Sequence, residues 1–241
     1  MDGLTRRAWL AGAMSTAAGL AVWRAGRAES LSVRVRPLDG IDSVRWEAAG
    51  ELRILQVRDR ERLTVEAEPA VLAQVAAEVH GRKLRIGFGP HRVQTRQPIR
   101  FTLEVRTLAR LDTGASGAVH AGPLAVPALA VRLGGSEALS FDEVRARTLD
   151  VRLDGAGEIR IAGGEVERQT VVIAGAGRYL APAMASRSAD LAIEGSGDLQ
   201  VAVSERLDVR IGGSGEVVYR GDPHVVKSIP GAGEVRREAK T

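Results

Sequence analysis

Two periods run through the chain. From Leu31 onward apolar and polar residues alternate, as in Val33-Arg34-Val35-Arg36, Leu52-Arg53-Ile54, Leu63-Thr64-Val65-Glu66, Phe101-Thr102-Leu103-Glu104-Val105 and Leu149-Asp150-Val151-Arg152-Leu153. A period of two sends successive side chains to opposite sides, so each run predicts a strand with one face in a core and the other in water. The one helix-compatible stretch is Pro69 to Val79, where Pro69 can open a helix and Gly81 can close a turn. One or two helical turns are expected there.

The second period is longer. Asp154-Gly155-Ala156-Gly157-Glu158-Ile159, Ala174-Gly175-Ala176-Gly177, Glu194-Gly195-Ser196-Gly197-Asp198-Leu199, Gly212-Gly213-Ser214-Gly215-Glu216-Val217 and Pro230-Gly231-Ala232-Gly233-Glu234-Val235 are variants of one motif. Their second glycines, at 157, 177, 197, 215 and 233, are 20, 20, 18 and 18 residues apart. Gly135-Ser136-Glu137 and Ala115-Ser116-Gly117 extend the series upstream in degenerate form. Apolar positions keep phase with it. Leu133, Leu153, Ile173, Ile193, Ile211 and Ile229 precede the reference position by four residues, and Val119, Leu139, Ile159, Tyr179, Leu199, Val217 and Val235 follow it by two.

Such columns are what stacked rungs require, because each rung leaves an apolar edge bare until a neighbour covers it. The glycines Gly155, Gly157, Gly175, Gly177, Gly195, Gly197, Gly213, Gly215, Gly231 and Gly233 are assigned to the corners, where glycine permits positive φ or close backbone approach. The residue between them is always Ser or Ala, which suggests a corner too tight for more. Two geometries fit: a parallel β-solenoid with about 18–20 residues per repeat, and an antiparallel meander or sandwich with a hairpin at each Gly-x-Gly. The solenoid is preferred, since it makes equivalent residues of successive copies direct neighbours. Residues 29–235 then form a single all-β domain. Within it, 29–110 is a less regular lead-in or cap, 111–235 carries the glycine-punctuated repeats, and 236–241 is a charged tail. Arg236, Arg237, Glu238 and Lys240 discourage further stacking at that end.

Charge changes the picture only at the N-terminus. Of 34 basic and 30 acidic residues, Arg6, Arg7, Arg24, Arg27 and Asp2 lie in the first 28, leaving 30 against 29. The remaining charges alternate in sign along strands, the pattern of a solvated face, so nucleic-acid binding is not expected. Thr5-Arg6-Arg7-Ala8-Trp9-Leu10, followed by a weakly apolar stretch to Val22 and small residues at Ala25-Gly26-Arg27-Ala28, resembles a twin-arginine export signal covering residues 1–28. Arg6 and Arg7 are its targeting residues, and the export machinery is the implied partner. The apolar stretch is too short for a stable membrane span, and the mature form is expected in the periplasm or outside the cell. With no cysteine, disulfides, thiolate metal sites and a thiol nucleophile are excluded.

No catalytic, cofactor or metal residues are assigned. No Gly-x-Gly copy continues into a phosphate-binding loop. Glu158, Asp198 and Glu216 recur at one phase and could stack as a cation-binding ladder, though one carboxylate per rung is a poor calcium site. His80, His91, His120 and His224 are scattered, and the corner serines at 116, 136, 196 and 214 read as structural. Paired acids Asp150 with Asp154, or Asp190 with Glu194, would suit glycoside hydrolysis. Few aromatic residues remain to build a sugar platform, since Trp46, Phe88, Phe101, Phe141, Tyr179 and Tyr219 sit mostly in strand phase.

The β-rich lead-in, the run Val79-His80-Gly81-Arg82-Lys83-Leu84-Arg85-Ile86, the serial glycine turns and the closing Tyr219-Arg220-Gly221-Asp222-Pro223 together resemble the auto-transporter adhesin head GIN domain family over roughly residues 33 to 230. The resemblance implies a right-handed, parallel β-helix-like exported domain and supplies no catalytic residues. The chain departs from the family pattern at Gly135-Ser136-Glu137 and Gly175-Ala176-Gly177-Arg178, where a less regular rung is expected. The resulting expectation is a non-enzymatic extracytoplasmic binding or adhesion scaffold of unknown ligand, with a cell-envelope or surface component as its partner; the alternative is a polysaccharide-active enzyme on a solenoid face.

Overall fold

The computed structural model describes residues 31–89, 93–114 and 117–238. The leader with Arg6 and Arg7, together with His91, Ser116 and Lys240, lies outside them. The described strands join one 20-stranded, mostly parallel sheet that coils on itself as a β-solenoid.

The lead-in holds β1 (Ser32–Leu38), β2 (Ser43–Trp46), β3 (Gly50–Gln56), β4 (Glu61–Ala67), a single helical turn α1 (Pro69–Leu72), β5 (Val75–His80), β6 (Lys83–Phe88) and β7 (Arg100–Val105). Only the first turn of the helix-compatible stretch is helical; Val75–His80 is a strand that pairs antiparallel with β6. The regular part begins with β8 (Arg110–Thr113), β9 (Gly117–Ala121), β10 (Leu124–Ala125), β11 (Ala128–Leu133) and β12 (Ala138–Phe141). It continues through β13 (Val144–Leu153), β14 (Glu158–Ile161), β15 (Gly164–Ile173), β16 (Arg178–Ile193) and β17 (Asp198–Ile211). It closes with β18 (Glu216–Arg220), β19 (His224–Ser228) and β20 (Glu234–Arg237).

The rungs stack into three parallel ladders. The first, before the glycine corner, stacks β6, β2, β8, β11, the C-terminal parts of β13, β15, β16 and β17, and β19. The second, after the corner, stacks β7, β3, β9, β12, β14, the starts of β16 and β17, then β18 and β20. A short third ladder links β10 with the openings of β13 and β15 and the middle of β16. The rung formed by β6 and β7 lies outside the one formed by β2 and β3, although it follows it in sequence. Beyond it, β4 runs antiparallel to β7, β1 antiparallel to β4, and β5 antiparallel to β6, so the lead-in supplies both rungs and a closing end.

The columns read from the repeat are the core as far as Ile211 and Val217, while their last members Ile229 and Val235 are half-buried. Leu133, Leu153, Ile173, Ile193 and Ile211 stand in direct register and are buried, as are Val119, Leu139, Ile159, Tyr179, Leu199 and Val217. Among the closing elements of the lead-in, Trp46 packs edge-on to Phe101 with centroids 4.8 Å apart. One column holds Gln169 between Leu149 and Ala189, fully buried. The Tyr179 hydroxyl donates to Gln169 Oε1 (3.0 Å), Gln169 Nε2 donates to Ser186 Oγ (2.8 Å), and Ser186 donates to the Ala202 carbonyl (2.7 Å). Every member is satisfied, which is the condition for tolerating polar groups in such a core. Burial pushes the Tyr179 phenol upward.

The corners stack through backbone hydrogen bonds. The residue between the glycines donates to the first glycine's carbonyl one rung earlier, as Ser196 N does to Gly175 O (3.1 Å) and Ala176 N to Gly155 O (3.2 Å). A Cβ at Gly195 would drive into that Gly175 carbonyl oxygen, so close backbone approach, with no positive φ, is what the corner demands. A Cβ at Gly197 would meet Ile173 Cγ2 at 2.6 Å. The middle residues Ala156, Ala176, Ser196 and Ser214 are exposed, so tightness at their own position does not explain their size; the steric constraint falls on the glycines flanking them.

Neither departure from the motif disturbs its rung. Arg178 pairs in register with Glu158 and Asp198, and Glu137 keeps the corner hydrogen bond from Glu158 N (3.1 Å). The irregularity lies elsewhere, between Ala181 and Ser188, where the register slips as the rung shortens from 20 to 18 residues. A shallow apolar groove of about 430 Å³ opens there, over Val166, Ala185, Ala202 and Val203.

Candidate functional site

The outward residues of the first ladder place the candidate acids. Asp150, Thr170, Asp190 and Asp208 form one row, and Thr170 separates the first two acids. Asp208 is held by Arg206 at 2.6 and 2.8 Å. Asp154 is clamped between Arg132 (2.8 Å) and Arg152 (2.7 Å), which engages the carboxylate in two ion pairs on the sheet surface. Across the corner, the expected acid ladder is interrupted: Arg178 stands between Glu158 and Asp198 and bridges to Glu158 at 2.7 Å. Among the described residues, no cluster of three or more His, Asp or Glu side chains is arranged to hold a metal ion.

One constellation went unread in the sequence because its members are brought together only by stacking. His120 and Ser140 are register partners on the second ladder, with Nδ1 to Oγ at 3.0 Å, and His120 Nε2 lies 3.4 Å from Asp142. The Ser140 hydroxyl also reaches the Val119 carbonyl (3.4 Å), and the direction of its bond to the ring follows the imidazole tautomer. His80 and His224 are exposed.

A polar cleft of about 490 Å³ lies on the first ladder, where the lead-in rungs meet the regular ones. Trp46 and Thr113, neighbours in register, line it together with Arg45, Lys83, Arg110 and Arg132. Arg45 (2.5 Å) and Arg85 (2.7 Å) share Glu47; Arg110 (2.9 Å) and Lys83 (3.9 Å) share Asp112; Arg132 and Arg152 share Asp154. Each carboxylate faces two cations, which leaves a positive excess. The Arg85 guanidinium, with Arg45 beside it, holds Glu47 below the usual carboxylate range against the opposing effect of burial. Hydrogen bonding to Asp112 raises Arg110 further above its ordinary value.

At this corner the repeat exchanges two residues. In later rungs a Cβ on the second glycine would strike the aliphatic side chain that precedes the corner one rung earlier, as at Gly157 against Leu133 Cδ2 (2.5 Å). Here Glu137 replaces the glycine, and the smaller Thr113 replaces the aliphatic residue. Trp46 Nε1, Thr113 Oγ1 and both Glu137 carboxylate oxygens are buried with no hydrogen-bond partner among the described residues. Each such atom costs about 1–3 kcal/mol when left unmatched. Nothing in the alternation of the chain marks these residues; the signal is the paired exchange against the repeat.

No curated protein matches this sequence. The fold is shared with solved structures. A crystal structure described as a putative adhesin from Bacteroides fragilis superposes with a TM-score of 0.81 at 19% identity, covering 87% of this chain and 98% of that one. One described as a putative lipid binding protein from Parabacteroides distasonis gives 0.69 at 23% identity, over 87% and 97%. A putative adhesin from Parabacteroides merdae gives 0.68 at 18%, again over 87% and 97%. The sequence profile described as "Putative auto-transporter adhesin, head GIN domain" matches residues 46–223. The chain therefore belongs to the head GIN domain family.

Proposed function

We propose that the protein is an exported, non-catalytic scaffold that binds or adheres to a component of the cell envelope or of another surface. Twin-arginine export through Arg6 and Arg7 delivers it to the periplasm or the cell exterior. The observation that carries this reading is the state of the outward acids: Asp154, Glu158 and Asp208 are all engaged by arginines on the sheet surface. Such ladders present evenly spaced, mutually paired charges for multipoint contact with a partner of complementary pattern. The family's adhesin description points the same way. The alternative of a polysaccharide-active enzyme draws on Asp150 and Asp190, which Thr170 separates in register.

Fluorescently labelled protein offered to intact cells and to envelope fractions is expected to attach saturably, without release of reducing ends from any polysaccharide. Charge reversal on the flat face, Arg168→Glu with Arg210→Glu, should weaken attachment several-fold and more so at low salt. Polysaccharide turnover that disappears in Asp150→Asn with Asp190→Asn overturns the scaffold reading in favour of the enzyme.

A further inference from the structure

We propose that core-facing cations at both ends of the solenoid keep copies of this chain from stacking end to end, with Lys227 as the deciding residue on the last rung, a property independent of the envelope binding proposed above. Among the described residues β19 pairs only with β17 and β20 only with β18, so each leaves one edge of backbone donors and acceptors open. Val225, Ile229 and Val235 continue the apolar columns and are only half-buried. Open edges of this kind pair readily with another chain, and a solenoid rung gains burial when a neighbour covers it. A second copy is the neighbour whose rungs have the right shape.

One column of the last rung opposes that outcome. Val171, Leu191 and Val209 stand in register on the core side and are buried, and the next position in their column is Lys227. The alternation is inverted there, since the neighbouring Val226 lies on the outer side in register with Asp208 and is 44% exposed. Lys227 is exposed where it stands. A further rung would seal its ammonium into the core, and an unpaired charge shut away from water is costly. The other terminal arginines are already engaged: Arg236 faces outward and bonds Glu216, and Arg237 is held by Asp222 (3.0 Å).

The closed end carries the same sign. In β1, the outermost strand of the second ladder, Arg34 and Arg36 stand opposite the buried Val65 and Leu63 and so lie on the core side. Arg36 donates to the Ala77 carbonyl of β5, the outermost strand of the first ladder. Stacked head to tail, β19 of one copy would meet β5 of the next, setting Lys227 against the core-facing Val75, Ala77 and Val79 with Arg36 beside them. Stacked tail to tail, two antiparallel β19 strands that share a core face would place Lys227 opposite Val225 or a second Lys227. Head to head, the core-facing arginines of two β1 strands would meet. Each polarity thus confronts a cation with an apolar residue or a like charge, and like charges opposite one another in a sheet destabilise it.

Sedimentation velocity and small-angle scattering on the full chain test this against Lys227→Met, which keeps the length of the side chain and removes its charge. Wild type is expected to stay monomeric, and the variant to associate roughly tenfold or more tightly into particles of about twice the maximum dimension. Arg145→Met removes an exposed cation from the wall of the solenoid and should behave as wild type. Because Lys227 is exposed, the melting temperature of Lys227→Met should be unchanged or higher. Wild type that already stacks end to end, Lys227→Met that stays as monomeric as wild type at millimolar concentration, or equal association of Arg145→Met overturns the proposal. Association of Lys227→Met without elongation, or with a lowered melting temperature, overturns it as well, since either marks contact through another surface.

Discussion

Ile193 lies between Ile173 and Ile211, with 1% of its surface exposed, and makes the column continuous across the change of rung length. Truncation removes three carbons from a site whose neighbours are held by stacked backbone and collapse poorly. Ile193→Ala is therefore expected to lower unfolding stability by about 2–5 kcal/mol, measured by denaturant titration. An unchanged midpoint would mean the column carries little of the core. The columns were legible because aliphatic residues repeat at a fixed distance from the glycines. Gln169 was not: it occupies an apolar column, and its partners Tyr179 and Ser186 are 10 and 17 residues away, so only coordinates show the satisfied chain. The Thr113 and Glu137 exchange was half legible, since Glu137 was visible as a departure from the motif while its consequence needed the adjoining rung.

At the scale of elements, the regular strands followed from the period of two, and the closing elements did not. Whether β4 runs parallel or antiparallel to its neighbour is set by how the chain returns, which alternation does not encode. Strand β1 shows the limit well. Its Val33 and Val35 alternate with arginines as a half-buried strand should, yet they are 61% and 54% exposed because β1 lies beyond the core. Glu61, at the start of β4, ties the closing elements together. Burial alone would raise its carboxyl, but the backbone N–H groups of Arg106 (2.9 Å) and Ile41 (3.2 Å) and the Arg106 guanidinium hold it below its ordinary value of 4.5. A depressed folded-state value stabilises fully above the unfolded one and fades as pH falls through the folded one. Thermal melts from neutrality downward should show wild type and Glu61→Gln converging below about pH 4, with the variant less stable above it. Parallel curves across the whole range would show that the carboxylate charge does not matter here.

At the scale of the molecule, stacking turned a one-dimensional repeat into a three-ladder body; the repeat pointed to a solenoid over a meander, and the number of ladders came only with the register. The out-of-order rung of β6 and β7 was not foreseeable, because it lacks the glycine corner that marks the others. The proposed delivery to the envelope depends on the twin-arginine reading of residues 1–28. Arg6→Lys combined with Arg7→Lys is expected to leave the precursor in the cytoplasm, scored by fractionation; normal export of that variant would remove the twin-arginine assignment. The antiparallel closing strands stand at only one end of the array, while the last corner repeats the geometry of those before it. The body thus behaves like a ruler with a fixed zero. Because each rung contacts only its neighbours, a twenty-residue unit added or removed near Gly197 is expected to leave the closed end unchanged, so reach becomes a property that gene duplication can tune.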